Sequence, residues 1–315
     1  MTIENNAHNH APWLVVVVIG GGAGNVLEHM QRNELQGVRF VHIDAAREAL
    51  ENSGAQDTLL LGDTGLGSGG NPEIARKAAE ATRSAIHESL LGVTTAFIVT
   101  CLGGGTGSGA APVVASIARK MGIRTLVVAT KPFSWEGKAR MQRADAAVAE
   151  LQKNANALLL LSNEKLADEE AEVSTVFTAI NDAILNTVNG ILTLIGSSPE
   201  LGVDWQDLVT SLDSPGDIAI GTGSAVGANR ARIAAEQALA GLLFKNVDLS
   251  SAKSILISIY ARKDGLQLSE SRTVMDVLCE KSAEDASTIF DISFDENLGD
   301  TLRVTVLATG LSANK

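Results

Sequence analysis

Residues 101–120 read CLGGGTGSGAAPVVASIARK, and five of the seven residues from Gly103 to Gly109 are glycine. Each glycine in a folded segment costs roughly 0.5–1 kcal/mol relative to alanine, so something must require bare backbone there. The preceding TTAFIVTC is a β-branched, apolar run of strand length, and the following AAPVVASIARKMG has a helical apolar period with Pro112 near its predicted start. The unit therefore reads strand, glycine loop, helix. Loop amides and a helix N-terminus then converge on one point, which makes an anion site that phosphate oxygens can approach without meeting a Cβ. The hydroxyls of Thr106 and Ser108 add donors.

Working outward, the chain alternates strands and helices. Residues 13–19 form an apolar strand, GGGAGN a loop, VLEHMQRNEL a helix and RFVHID a second strand; TLLLG leads into the loop DTGLGSGGNPE and the helix IARKAAEATRSAIHESL. The strands RTLVVAT and ALLLLSN follow. This order implies a largely parallel α/β sheet with ligands beyond the carboxyl ends of its strands. Glycine loops at 20–24, 65–70 and 103–109 all follow strands and so share one sheet edge. A long helical pattern runs over about 173–195, and the candidates SILISIY, STIFDISF and LRVTVLATG build a smaller α+β domain behind it.

At 315 residues the chain exceeds the usual size of a single core, so two domains are expected. Its hydrophobic fraction of 45% with 3% aromatics implies a core of Ala, Val, Leu and Ile. The net charge of −12 argues against a nucleic-acid partner, and phosphate binding would rest on local amides. Cys101 and Cys279 lie far apart without CxxC or His pairing, which fits a reducing cytoplasm and indicates neither a disulfide framework nor a zinc site. Residues 1–11 read as a disordered leader, and WLVVVVIG is too short to span a bilayer.

Two readings compete for the glycine edge. GGGAGN with Asp44 at the end of the second strand mimics the dinucleotide fingerprint of an NAD-dependent oxidoreductase, but it lacks the third glycine and leaves 103–109 unexplained. The second reading starts from GGGTGSG followed by AAPVVA, which closely resembles the tubulin/FtsZ signature. GGGAGNVLEHM, GLGSGGNPEIARKAAE, TKPFSWEGKARM, LSNEKL, FTAINDAIL, VDWQDL and LRVTVLATG then resemble segments of that family in order, from about Leu14 to Gly310.

The resemblance implies a Rossmann-like GTP-binding domain over 12–196 including the central helix, and an α+β domain over 203–311 that carries an acidic loop. It implies GTP or GDP as ligand, Mg2+ with the nucleotide, and head-to-tail self-assembly, with co-assembly with a conventional FtsZ as a further expectation. Gly20, Gly21, Gly22 and Asn25 would contact nucleotide; Ser68, Gly69, Gly70 and Asn71 would face the β- and γ-phosphates. Gly103, Gly104, Gly105, Thr106, Gly107, Ser108 and Gly109 would cradle the phosphate chain. Glu136 and Arg140 match ribose- and phosphate-side contacts, although at i,i+4 they also suit a plain surface ion pair. Phe177 would pack on the guanine ring and Asn181, one turn on, would pair with its polar edge. Asp204 and Asp207 match the acids that one subunit inserts toward its neighbour's γ-phosphate, where they would be catalytic; a helix N-terminus would favour acids there as well.

The departures from the family pattern are specific. Gly202 stands for the usual Asn before the first acid, Asp44-Ala45-Ala46 replaces Asn-Thr-Asp, and Thr64 replaces a common arginine. The sequence also ends at Lys315 without the tail that meets membrane tethers, so no direct membrane binding is expected. These changes keep open a GTP-binding filament or regulatory paralogue with little or no hydrolysis.

Overall fold

A computed structural model describes residues 14–33, 35, 38–166, 170, 172–196, 210–211, 217–243, 249–283 and 285–311. The leader at 1–11 and both Asp204 and Asp207 fall outside these residues. The chain divides into two compact units, 1–185 and 186–315.

In the first unit six parallel strands are ordered β3-β2-β1-β4-β5-β6, with β1 Leu14–Ile19, β2 Arg39–Asp44, β3 Asp57–Leu60, β4 Thr95–Cys101, β5 Arg124–Lys131 and β6 Ala157–Ser162. All of β1 is buried, as a central strand with both faces covered must be, which is why it reads as a continuous LVVVVI rather than as an alternation. The order reverses between β1 and β4, which pair from Leu14–Thr95 to Ile19–Thr100. That reversal is the switch point where such sheets bind ligands.

Helices connect the strands: α1 Gly21–Arg32, α2 Arg47–Glu51, α3 Pro72–Ala81, α4 Arg83–Ser89, α5 Thr106–Lys120, α6 Lys138–Asn154 and α7 Asn163–Leu166. Two of them begin earlier than the sequence suggests. The segment GGGAGN is already the first turn of α1, and α5 starts at Thr106, so Pro112 lies inside that helix and not at its start. Proline at this depth removes the amide that would bond to the Ser108 carbonyl. The glycine loops at 20–24 and 103–109 are thus largely helix N-terminal turns.

The long α8, Val173–Gly196, leads into the second unit. There a four-stranded sheet is ordered β7-β10-β8-β9, from β7 Asp217–Ala225, β8 Ser254–Ala261, β9 Ser287–Phe294 and β10 Leu302–Leu311. Strand β10 runs antiparallel to both neighbours, and β8 and β9 are parallel. Helices α9 Arg230–Leu243 and α10 Leu268–Cys279 complete this unit, and Ala234, Ala238, Ile257, Val274 and Val304 form part of its core. Strand β7 was not evident from the sequence because glycines interrupt DIAIGTGSA. Side chains at Gly221 and Gly223 would collide with the carbonyls of Ala238 and Ala234 on α9, so glycine here serves close helix–strand packing.

Candidate functional site

The turns after β1 and β4 meet at the switch point. Gly20 has φ +89°, and a Cβ there would lie 3.0 Å from the Gly107 nitrogen. Neither α1 nor α5 has a side-chain cap or an acid in its first turn, whereas α3 has both: Asn71 Oδ1 accepts from the Glu73 amide at 2.9 Å, and Glu73 is acidic. Two helix N-termini therefore converge with their leading N–H groups uncommitted to side chains. Such an end favours an external anion through those donors and through the helix dipole. Asn71, expected to face phosphate, spends its side-chain oxygen on the first turn of α3.

The loop at 65–70 and the turn at 103–109 are packed directly together. A side chain on Gly105 would run into Ser68 Oγ and come within 2.8 Å of the Asn71 nitrogen, and one on Gly109 would strike the Pro72 carbonyl. The bareness of Gly105 and Gly109 therefore admits the neighbouring loop; the sequence had suggested that it admits phosphate. Gly104 is the contrast: no heavy atom lies within 4 Å of its Cβ position. Ser108 is buried and its Oγ accepts from the Gly103 amide at 2.8 Å, closing the turn from inside rather than lining the open side. Thr106 is half-buried, with Oγ1 3.3 Å from Ser68 Oγ and donating to Asp44 Oδ1 at 3.4 Å.

Asp44 is 2% exposed. Its Oδ1 also accepts from the Ala46 amide at 2.9 Å, while its Oδ2 has no hydrogen-bond partner and lies 4.0 Å from His42 Nε2, which is likewise without one. His42 Nδ1 is 2.9 Å from Ser53 Oγ. Burial lowers the His42 pKa below its usual value, against the opposing pull of Asp44. Asp44 thus stands under the turn at 103–109, not on an open edge as the dinucleotide reading required. The sequence had offered it both as the acid of a dinucleotide fingerprint and as a departure from the family motif.

Beneath the same turns, Cys101 packs against Gly22, whose Cβ position is 3.0 Å from the cysteine Cβ, and burial raises its thiol pKa. Gly21, Gly22, Asn25 and Gly69 are exposed, and Gly70 is half-buried.

Side chains build the other end. Phe133 is buried, stacks on Trp135 at 5.1 Å and meets Phe177 edge-on at 6.3 Å. Phe177 is 48% exposed, and half-buried Asn181 follows one turn along α8. The next residue, Asp182, sits 2.7 Å from His29 Nε2, which ties α8 to α1; Asn25 lies one turn before His29 on the same face. Glu136 accepts from the Phe133 amide at 2.8 Å and pairs with Arg140 at 2.7 Å, the i,i+4 ion pair that the sequence offered as the alternative to a nucleotide contact. Glu164, not picked out from the sequence, accepts from the Ser134 amide at 3.0 Å and its hydroxyl at 2.7 Å, clamping the turn that carries Trp135.

An anion site made of helix ends at a switch point, with an aromatic side chain exposed at the far end, defines a nucleotide-binding α/β protein. Comparison with known proteins narrows the class. The tubulin/FtsZ family GTPase domain matches residues 14–170, and the FtsZ family C-terminal domain matches 216–312. The cell division protein FtsZ of Buchnera aphidicola subsp. Schizaphis graminum is 40% identical over 306 residues, covering 95% of this chain and 79% of that protein. The Pseudomonas aeruginosa FtsZ is 39% identical over 304 residues, covering 95% and 77%. A solved empty FtsZ dimer from M. jannaschii superposes with a TM-score of 0.82 at 32% identity, covering 94% of this chain and 88% of that one. The chain belongs to the tubulin/FtsZ family, and with it goes guanine-nucleotide binding and GTPase activity. The dinucleotide reading is set aside.

Proposed function

We propose that the chain is a cytoplasmic cell-division GTPase that binds GTP along the turns at 20–25, 68–71 and 103–109 and assembles head to tail into filaments. The observation that carries this reading is the meeting of two uncapped helix N-termini at Gly20 and Gly107. Their amides would hold the phosphate chain, with Gly104 leaving room for it and Thr106 donating. Phe177 and Asn181 would take the guanine, with Glu136 and Arg140 between the two ends. A head-to-tail contact is heterologous and does not close, so it propagates. Asp204 and Asp207 would complete the site of the neighbouring subunit, where carboxylates orient water for phosphoryl transfer.

The Asp44 carboxylate, whose Oδ1 accepts from Thr106, together with the hydroxyls of Thr106 and Ser68, would make a hard-oxygen donor set of the kind that suits Mg2+. Mg2+ bound there would neutralise charge on the phosphate oxygens. Among the described residues no helix is long and apolar enough to cross a membrane. The partners proposed are copies of this chain and a conventional FtsZ, and neither nucleic acid nor direct lipid contact.

Turnover should rise more steeply than linearly with protein concentration near the assembly threshold, measured as phosphate release alongside light scattering. Asp207→Asn should leave GTP affinity nearly unchanged and lower hydrolysis by ~10²-fold. Mixed with a Gly104→Val chain that cannot bind nucleotide, it should regain part of the activity. A rate per chain independent of concentration would defeat the shared-site scheme. The replacement of Asn-Thr-Asp by Asp44-Ala45-Ala46 favours a second reading, a filament with residual hydrolysis, which would show scattering without phosphate release.

A further inference from the structure

A groove of about 620 Å³ runs between α3, α5 and α6, with Pro72, Ser108 and Gly109 from the first turns of α3 and α5 in its wall. Three glutamates line it, and a cation of its own helix or the adjoining one already engages each: Arg76 and Lys77 on Glu73, Arg83 on Glu80, Lys153 on Glu150. Arg76 is taken up by Glu73 in turn, through two hydrogen bonds. That leaves Arg143. It is half-buried and has no acidic partner among the described residues.

Helix α6 explains where Arg143 points. It follows Arg140 by three positions, so the two share a face of α6. Its Nη1 lies 3.6 Å from the Cβ position of Gly70, in the loop that packs on Gly105. The aromatic side chains Phe133, Trp135 and Phe177 all belong to the other end of the site. A half-buried arginine whose guanidinium reaches bare backbone, with no carboxylate among the described residues to balance it, is suited to bind an anion. Phosphate matches its planar fork and its position.

We propose that Arg143 binds the terminal phosphate of the nucleoside triphosphate from the outer side of the 65–70 loop and so discriminates GTP from GDP. The inference rests on the nucleotide-binding reading above. It also assigns the open side of Gly70 a purpose, since any side chain there would stand between the guanidinium and the loop.

The test is titration calorimetry of the full chain with a non-hydrolysable GTP analogue and with GDP, for the parent, Arg143→Gln and Arg143→Lys. In Arg143→Gln, affinity for the analogue should fall roughly tenfold while that for GDP changes by less than about twofold, the loss of one charge-assisted contact. Arg143→Lys, which keeps the charge but not the fork, should recover part of the difference. An equal change for both nucleotides, or none for either, overturns the proposal. If the parent itself binds neither nucleotide, the nucleotide reading falls and takes this inference with it. Binding of both with a ratio indifferent to Arg143 removes the inference alone.

Discussion

The two ends of the site, proposed for phosphate and for base, are made in opposite ways. At Gly20, Gly104 and Gly107 the contacts on offer are main-chain amides, fixed by the sheet and by loops packed backbone to backbone. At Phe177, Asn181, Glu136 and Arg140 they are side chains, set by rotamers and a few hydrogen bonds. The first end should be brittle toward added atoms and indifferent to the chemistry of removed ones; the second should be the reverse.

The largest effect is expected at Gly109→Val, which forces a branched side chain into the Pro72 carbonyl. It should destabilise the first unit by about 3 kcal/mol, lowering Tm by roughly 6–12 °C in a thermal scan. Gly104→Val sharpens the contrast within the same turn. Its stability should stay within about 1 kcal/mol of the parent, while nucleotide affinity falls by roughly 10²-fold, because the new atoms occupy ligand space alone. Equal melting losses for the two variants would erase the distinction between glycines that face protein and the one that faces open space.

Phe177→Ala should weaken GTP and GDP alike by roughly tenfold, the worth of one base-stacking contact, with melting little changed. An altered GTP-to-GDP ratio would show that the two ends are not separable. The smallest change is expected at Glu164→Ala, which frees the Ser134 turn without touching nucleotide. About a threefold loss of affinity is anticipated, partly restored in Glu164→Gln, and fluorescence anisotropy with a labelled guanine nucleotide would resolve it.

The legible parts of the sequence were those that repeat a local rule. LVVVVI and ALLLLS announce parallel strands by apolar runs, and the apolar period over 173–195 announces α8. What stayed hidden depends on distance between residues far apart in the chain. Nothing in GGGTGSG says that Gly105 faces Ser68 while Gly104 faces open space, because that difference is set by a loop almost forty positions earlier. Strand β7 was lost for the same reason, since Gly221 and Gly223 look like breakers until α9 is laid against them. Asp44 and Arg143 were visible as residues, but the burial of Asp44 with a partnerless Oδ2 and the approach of Arg143 to Gly70 are properties of the packed structure.

The pairing of β1 with β4 carries a kinetic consequence. Leu14 lies beside Thr95, and the anion site exists only once these distant strands are in register, with β2, β3 and four helices already accommodated between them in the chain. Closing so long a loop is entropically costly before any contact repays it, which makes such pairings slow. Competence to hold nucleotide is therefore a late event in folding. During synthesis, a chain whose β4 and first turn of α5 have not yet emerged has only one of the two helix ends that would grip a phosphate, so the ligand stabilises finished molecules and leaves partial ones unprotected.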